Sequence, residues 1–403
     1  MNDTNVSFVE TIHNLIYDKF DSLKIGGKPQ SHEWTVVSSL ILQENNSYRV
    51  IAITTGTKCV GESSLSQDGF VVNDCHAEVL CRRAFIKFLL NELEQCIHHE
   101  KSIFEWNQDT NLYKVKQSIQ FHLYISQSPC GIGSVYQQEN SKRQAMEISN
   151  FKQRASKRRK GIEEIEVDSP DDNLHLSGAK YKENDEYHLS TKPGRGDPSR
   201  SYSCSDKICL WNSIGWQGGC LATLIEPVFV SSIIIGGEWE EERMKNALIT
   251  RISEKSNVQL YHDLLDCKYS EKMVIQHLPK DHKLSACGSS LIWITPNAHE
   301  ILIPNKGIRL GTNYKKGITV KNTSIICPKR LFQSFHSICM RITNKKSLCD
   351  CVTYWSVKEL AKDYQDKKQQ LANSFMKQWK RKDKVYYSFT FSFVYLTNIF
   401  ILH

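Results

Sequence analysis

Asn73-Asp74-Cys75-His76-Ala77-Glu78-Val79-Leu80 decides how this chain is read. A polar loop ends at His76, and from Ala77 to Leu93 the apolar residues Val79, Leu80, Phe85 and Leu89 recur on one side of a helix. Upstream, Trp34 to Leu42 and Tyr48 to Thr55 are β-branched and aromatic runs with strand character. Downstream, Phe121 to Ser126 is a short apolar strand that stops at Pro129. Strand and helix therefore alternate, which predicts an α/β sheet layered with helices. Further along, the sequence predicts a helix from Lys207 into Trp216, a strand from Val228 to Ile235, a hairpin over Leu291 to Ile303 turning at Pro296-Asn297, and a long helix from Val357 to Trp379. In that last helix Leu360, Tyr364, Leu371 and Phe375 keep helical spacing.

The chemistry lies at two junctions. His76 and Glu78 stand where a loop enters a helix, and Ser128-Pro129-Cys130-Gly131 stands where a strand ends. H-x-E followed by P-C is most of the zinc-deaminase pattern H-x-E…P-C-x-x-C, in which the carboxylate moves protons and does not bind the metal. The residue types suit that task. An imidazole and two thiolates leave the fourth position of zinc open for water, and a carboxylate nearby handles its proton. Gly133 stands where the second cysteine of P-C-x-x-C belongs, so a third ligand must come from elsewhere. Cys204 is the best candidate, because it lies at a helix start in the polar segment Ser203-Cys204-Ser205-Asp206-Lys207; Cys75 is less suitable, since its neighbour His76 already faces the metal. A lone histidine at a helix start is more often a cap or a core residue, and a lone cysteine a small apolar one. The ordered combination is what points to zinc.

Composition sets the limits. The 403 residues are 40% hydrophobic and 24% charged, as in a globular protein, and 52 Lys and Arg against 44 Asp and Glu give +8, compatible with a polyanionic partner without demanding one. Fourteen cysteines without a regular framework read as reduced thiols with a few metal ligands. Val9, Ile12, Ile16 and Phe20 make the N-terminus an amphipathic helix and not a leader, which places the chain in the cytoplasm and/or nucleus. Residues 137–184 read as a charged low-complexity insert, basic from Lys152 to Lys160 and acidic from Glu163 to Asp172, serving RNA contact, nuclear import or neither. Val385 to Leu402 is hydrophobic but short for a span and interrupted by Ser388, Ser392, Thr397 and Asn398. It reads as a tail anchor, a buried β-rich segment or an aberrant ending.

Taken together, Thr55-Gly56-Thr57-Lys58-Cys59, Asn73 to Glu78 with Arg82-Arg83, Ser128 to Gly131, Ser203 to Lys207 and Trp211-Asn212 resemble the editase domain of adenosine deaminases acting on RNA and of their tRNA-modifying relatives. Glu33-Trp34-Thr35 and Lys192-Pro193-Gly194-Arg195-Gly196-Asp197 are similar to the tRNA-specific branch, which converts the adenosine 3′ of the anticodon in alanine tRNA to inosine. The resemblance covers nearly the whole chain. It implies a cytidine-deaminase-like three-layer core, a central mixed sheet flanked by helices, elaborated by a C-terminal helical part. One editase domain over 1–384 would be followed by a divergent tail at 385–403.

The resemblance also implies zinc ligands His76, Cys130 and Cys204, with Glu78 as the proton shuttle for water attacking C6 of adenosine. Thr57 would lie beside the target nucleotide, and Lys58 would contact a phosphate of the tRNA anticodon stem-loop. Asn73, Arg82, Arg83, Lys207, Tyr354, Lys358, Tyr364 and Lys368 match positions that bind inositol hexakisphosphate in the core, and Asp74 with Lys207 would relay between that anion and the metal. Cations gathered in a core do need an anion. Leu210 replaces an expected Arg, and the ending beyond Trp379 lacks the family pattern. A monomer with no stable membrane partner is expected. The competing readings are an editase of double-stranded or messenger RNA and a catalytically inactive RNA-binding relative.

Overall fold

The computed structural model describes residues 3–134, 192, 197–251, 256–278, 283–313, 317–351, 353–374 and 383–390, with short backbone strands at 175–176 and 179–180. The rest of the insert read at 137–184, and the tail beyond 390, lie outside the described residues.

Eight strands form one mixed sheet. They are β1 (Val37–Glu44), β2 (Ser47–Thr55), β5 (Ile119–Ile125), β6 (Ser232–Ile235), β7 (Gln259–His262), β8 (Ser290–Ile294), β9 (Ala298–Ile303) and β10 (Ile308–Arg309). Across the sheet the order is β7-β6-β5-β1-β2-β8-β9-β10. Pairs β7/β6 and β6/β5 are parallel, and the others are antiparallel. Two further short strands, β3 (Thr57–Cys59) and β4 (Asp74–His76), form a ribbon of their own.

Period-two alternation sends side chains to two cores. Ile233 and Ile235, Ile292 and Ile294, Phe121, Leu123 and Ile125 face the helix α2 (Ala77–Ile97), whose Leu80, Phe85 and Leu89 are fully buried. Ile234, Leu291, Trp293 and Tyr124 face the other way, onto the helix α1 (Asp3–Ser22). There Ile12, Ile16 and Phe20 are each 0% exposed, the stripe that the spacing announces. The result is helix, sheet, helix: the three-layer α/β architecture expected from the sequence. Further helices α3 (Cys204–Ile214), α4 (Pro328–Arg341), α5 (Tyr354–Leu360) and α6 (Lys362–Asn373) cover the α2 side. Among the described residues no helix is long and apolar enough to cross a membrane.

Several predicted boundaries shift. Trp34 leaves the first strand and pairs, with Glu33, parallel to Ser285 and Ala286. Strand β6 begins only at Ser232, because Val228 is taken up by the loop after α3, its N–H bonding Gln217 and its carbonyl accepting from Trp216. The hairpin is present, Ile294 pairing with Ala298 around Pro296 and Asn297. The helix predicted as continuous from Val357 to Trp379 is instead two. It breaks at Ala361, whose backbone (φ −77°, ψ 68°) is not helical, and Gln365 Nε2 donates to the freed Lys358 carbonyl at 2.7 Å. Residues 375–382, including Phe375 and Trp379, lie outside the described residues.

His122 on β5 offers a test of this packing. Burial pushes its imidazole down to about 4, and its two ring nitrogens sit 2.8 Å from Ser232 Oγ and Gln43 Oε1. An unfolded histidine near 6.5 protonates first as pH falls, so the folded state loses stability between about pH 6.5 and 4, by about 3 kcal/mol in all, and stops losing it below. The stability difference between wild type and His122→Gln, measured by urea unfolding, should therefore change by that amount across this window; a pH-independent difference contradicts the burial argument.

Candidate active site

Strand β2 delivers the chain to the site through Gly56, where the backbone takes φ +152° and a Cβ would stand 2.0 Å from the Cys75 carbonyl. That close approach sets the β3/β4 ribbon in register, with Thr57 opposite His76, Lys58 opposite Cys75 and Cys59 opposite Asp74. The Gly56 carbonyl accepts the first amide of α2, from Ala77. His76 is therefore the residue at which strand becomes helix, and Glu78 sits in the first helical turn.

Cys130 lies beyond the end of β5, ahead of a single turn at Ile132–Ser134. Cys204 opens α3, capped by Ser203, whose hydroxyl accepts from the Asp206 amide at 3.2 Å. The two helix starts at the site are thus those of α2 and α3. One nitrogen of His76 and the sulfurs of Cys130 and Cys204 all lie within 4.8 Å of one another, and among the described residues no other group of three or more such side chains is placed to hold a metal. His76 Nδ1 is 3.9 Å from Cys130 Sγ, and the Cys204 amide donates to that sulfur at 3.2 Å. Gly133 fits here for steric reasons. A Cβ on it would meet Ser205 Oγ at 2.9 Å, so the segment bearing Cys204 fills the space that a second P-C-x-x-C cysteine would need.

Charge in the site is arranged for a cation. The hydrogen bond from Cys204, then the Lys192 ammonium and His76, overcome burial and hold the Cys130 thiol well below the usual thiol range. Burial and the Cys130 sulfur raise the Cys204 thiol. Lys192 opens the Lys192-Pro193-Gly194 motif, but no role for its side chain is legible from the residues alone. It is 2% exposed, 3.3 Å from Cys204 Sγ and 2.8 Å from Asp74 Oδ2. Asp74 also accepts from Lys207, from Ser201 Oγ at 2.9 Å and from the His76 amide at 3.0 Å. Burial alone would raise the Asp74 carboxyl, but Lys192 and Lys207 hold it well below the carboxylate range. Sulfur, ammonium, carboxylate and a second ammonium form a continuous line leading away from the ligands. Beside it, Asp206 and Arg251 make an ion pair at 2.7 Å with both side chains 0% exposed, which pins the first turn of α3.

Glu78 is 3% exposed, and burial pushes its carboxyl up. Among the described residues its Oε2 has no hydrogen-bond partner, nor do Thr57 Oγ1, Asn73 Oδ1 and Arg82 Nε, all four buried. Buried polar atoms are seldom left unpaired, and these four all belong to residues that the sequence singled out for ligand contact. Lys58 Nζ donates to the Cys287 carbonyl at 3.0 Å.

Behind α2, Arg82, Arg83 and Lys358 are lowered by burial, and among the described residues none forms an ion pair with a carboxylate. Arg82 lies 4.7 Å from the Trp211 ring and beside Tyr364, while Lys358 lies 5.0 Å from Tyr354. Lys368 is half-buried on α6, so it and Tyr364 share a helix separate from that of Lys358. Leu210, in place of the expected Arg, is 6% exposed in the apolar core and adds no cation.

The chain matches the adenosine-deaminase (editase) domain over residues 52–383. It is 30% identical to tRNA-specific adenosine deaminase 1 of Drosophila melanogaster, across 95% of this chain and 97% of that one, and 25% identical to tRNA-specific adenosine deaminase 1 of Homo sapiens, across 94% and 99%. To the double-stranded RNA-specific editase Adar of Drosophila melanogaster it is 32% identical across 74% of this chain, but only 41% of that protein. The domain match over residues 52–383 and the 30% identity across 95% of the chain place it in the adenosine-deaminase (editase) domain family, in keeping with the histidine and two cysteines gathered beside Glu78.

Proposed function

We propose that this hydrolytic deaminase converts adenosine to inosine in tRNA, at the adenosine 3′ of the anticodon of alanine tRNA. The observation that carries the substrate is the likeness to tRNA-specific deaminases over nearly the full length of both chains, against less than half of the double-stranded RNA editase.

One nitrogen and two sulfur donors within 4.8 Å suit zinc, and His76, Cys130 and Cys204 would hold it. Bound there, zinc supplies a water whose pKa falls toward 7. Glu78 would take up a proton and return it at purine N1 and at the departing amino group; its Oε2, without a partner among the described residues, and its raised carboxyl suit a group that must both accept and return a proton. Thr57, opposite His76 and with a hydroxyl that has no partner among the described residues, orients the extruded base, and Lys58 meets a backbone phosphate. Lys192 and Asp74 hold the ligands in place. Inositol hexakisphosphate suits the buried cations Arg82, Arg83 and Lys358 with Asn73, Lys207, Tyr354, Tyr364 and Lys368, because among the described residues those three cations have no carboxylate partner and Arg82 Nε and Asn73 Oδ1 have no partner.

The test is incubation of the full chain with alanine tRNA and, separately, with a long RNA duplex, followed by sequencing for inosine. Inosine at one anticodon-loop position of the tRNA is expected. Editing of the duplex with an unmodified tRNA would assign the chain to the double-stranded RNA editases instead.

A further inference from the structure

The α1 face of the sheet changes character at one end. In its middle, Ile41, Val50, Tyr124 and Ile234 belong to the apolar core under α1. Two residues along each strand, the next positions on that face are Gln43, Tyr48, His122 and Ser232. With Gln120, Tyr261 and Phe8 of α1 they line a cleft of about 270 Å3. It opens at the starts of β2, β5, β6 and β7, whereas Gly56 and Cys130 lie beyond the ends of β2 and β5, so cleft and metal ligands occupy opposite ends of the sheet.

The floor of the cleft is fixed. Gln43 Nε2 donates to the Asn45 carbonyl at 2.7 Å, so its Oε1 accepts from His122 Nε2 at 2.8 Å, and His122 Nδ1 is left to accept from the Ser232 hydroxyl at 2.8 Å. The walls are aromatic. Phe8 meets the rings of His122 and Tyr261 edge-on, with centroids 5.3 Å apart in each case, and lies 5.8 Å from Tyr48. At the rim, the Gln120 amide and the Tyr48 hydroxyl have no hydrogen-bond partner among the described residues.

These features select a ligand. No Lys, Arg, Asp or Glu is among the described residues lining the cleft, and burial keeps His122 neutral by lowering it to about 4. Nothing there neutralises a phosphate or carboxylate, and an ammonium would be held by ring faces alone. Aromatic walls with an amide and a hydroxyl at their edge suit a flat, uncharged heterocycle that stacks and offers both donors and acceptors. The volume, below the roughly 300–1,000 Å3 of pockets for larger ligands, takes one such ring system.

We propose that this cleft is a second binding site, for a free uncharged nucleobase packed among Phe8, Tyr48 and Tyr261 and hydrogen-bonded at its edge by Gln120 and the Tyr48 hydroxyl. A base carried by RNA fits less well, because flanking phosphates would find no cation in the lining. Since Phe8 lies on α1 and the other walls on the sheet, the bound base also ties α1 to the sheet.

The test is calorimetric titration of the zinc-loaded full chain with adenine. Gln120→Ala and Tyr48→Phe, which remove one edge group each and leave the walls in place, should each raise Kd about fivefold or more, while the unliganded variants melt at the wild-type temperature. Benzoate, a flat anion, and tetramethylammonium should bind at least about tenfold more weakly than adenine. Absence of adenine binding, or binding that neither variant weakens, overturns the proposal; the second result would place adenine at the metal centre. Tetramethylammonium binding as tightly as adenine would make the cleft an ammonium cage instead. Adenine should stay bound in saturating alanine tRNA, and its displacement would overturn the assignment to a free base.

Discussion

Glu78→Gln should lower the rate of inosine formation by about 100-fold or more while leaving the zinc content unchanged. The substitution keeps the shape of the side chain and the hydrogen-bonding capacity of one oxygen, and removes only the ability to take up and return a proton. Glu78 is not a ligand within the His76, Cys130 and Cys204 group, so the metal has no reason to leave. Neither is it a structural ion pair. Its Oε2 has no partner among the described residues, and a carboxylate kept at 3% exposure without one is costly unless it has chemistry to perform. Single-turnover kinetics on alanine tRNA, with zinc measured on the same sample, decides the matter. A rate within a few-fold of wild type would move the proton transfer to another group.

Cys204→Ser should reduce zinc from about one per chain to less than about a tenth, with activity falling in proportion. A serine hydroxyl is a poor ligand at neutral pH, whereas Cys204 is fully buried and has Lys192 3.3 Å from its sulfur to offset negative charge. Metal that binds only the folded state stabilises it, by about 4 kcal/mol when free zinc is a thousandfold above Kd. The variant should unfold earlier by that amount and no longer respond to a chelator, while chelated wild type falls to the same stability. Retention of one tightly held zinc would bring Cys75 back as the third ligand.

The sequence was informative where chemistry and periodicity coincide. His76, Glu78 and Cys130 stand out because residue type, spacing and element boundary agree, and the structure gathers them. Cys204 had to be found by its polar surroundings at a helix start, since Gly133 breaks the usual spacing; only the contact of Gly133 with Ser205 shows why. Lys192 could not be assigned a role. Nothing periodic marks it, and its partners Asp74 and Cys204 lie 118 and 12 residues away. The break at Ala361 escaped notice because no Gly or Pro signals it and Tyr364 and Leu371 keep their spacing beyond it. Tyr387 and Phe389 belong to a stretch whose hydrophobicity alone is equally compatible with membrane and core; only Gly69 and Tyr354, far away in sequence, choose the core.

The packing of α1 has a consequence for how the protein is made. His13 bonds Asp263 at 2.7 Å across 250 residues of sequence, and the apolar stripe of Ile12, Ile16 and Phe20 rests against Leu291 and Trp293. At ribosomal speeds of about 5–20 residues per second, α1 waits roughly 10–50 s for these partners to be synthesised. During that interval its stripe has Val37, Ile41, Val50 and Ile53 of β1 and β2 to pack against, but not the rest of the core that it finally enters. Slower synthesis of the C-terminal half should therefore lower the folded yield, and a chaperone able to hold one amphipathic helix should restore it.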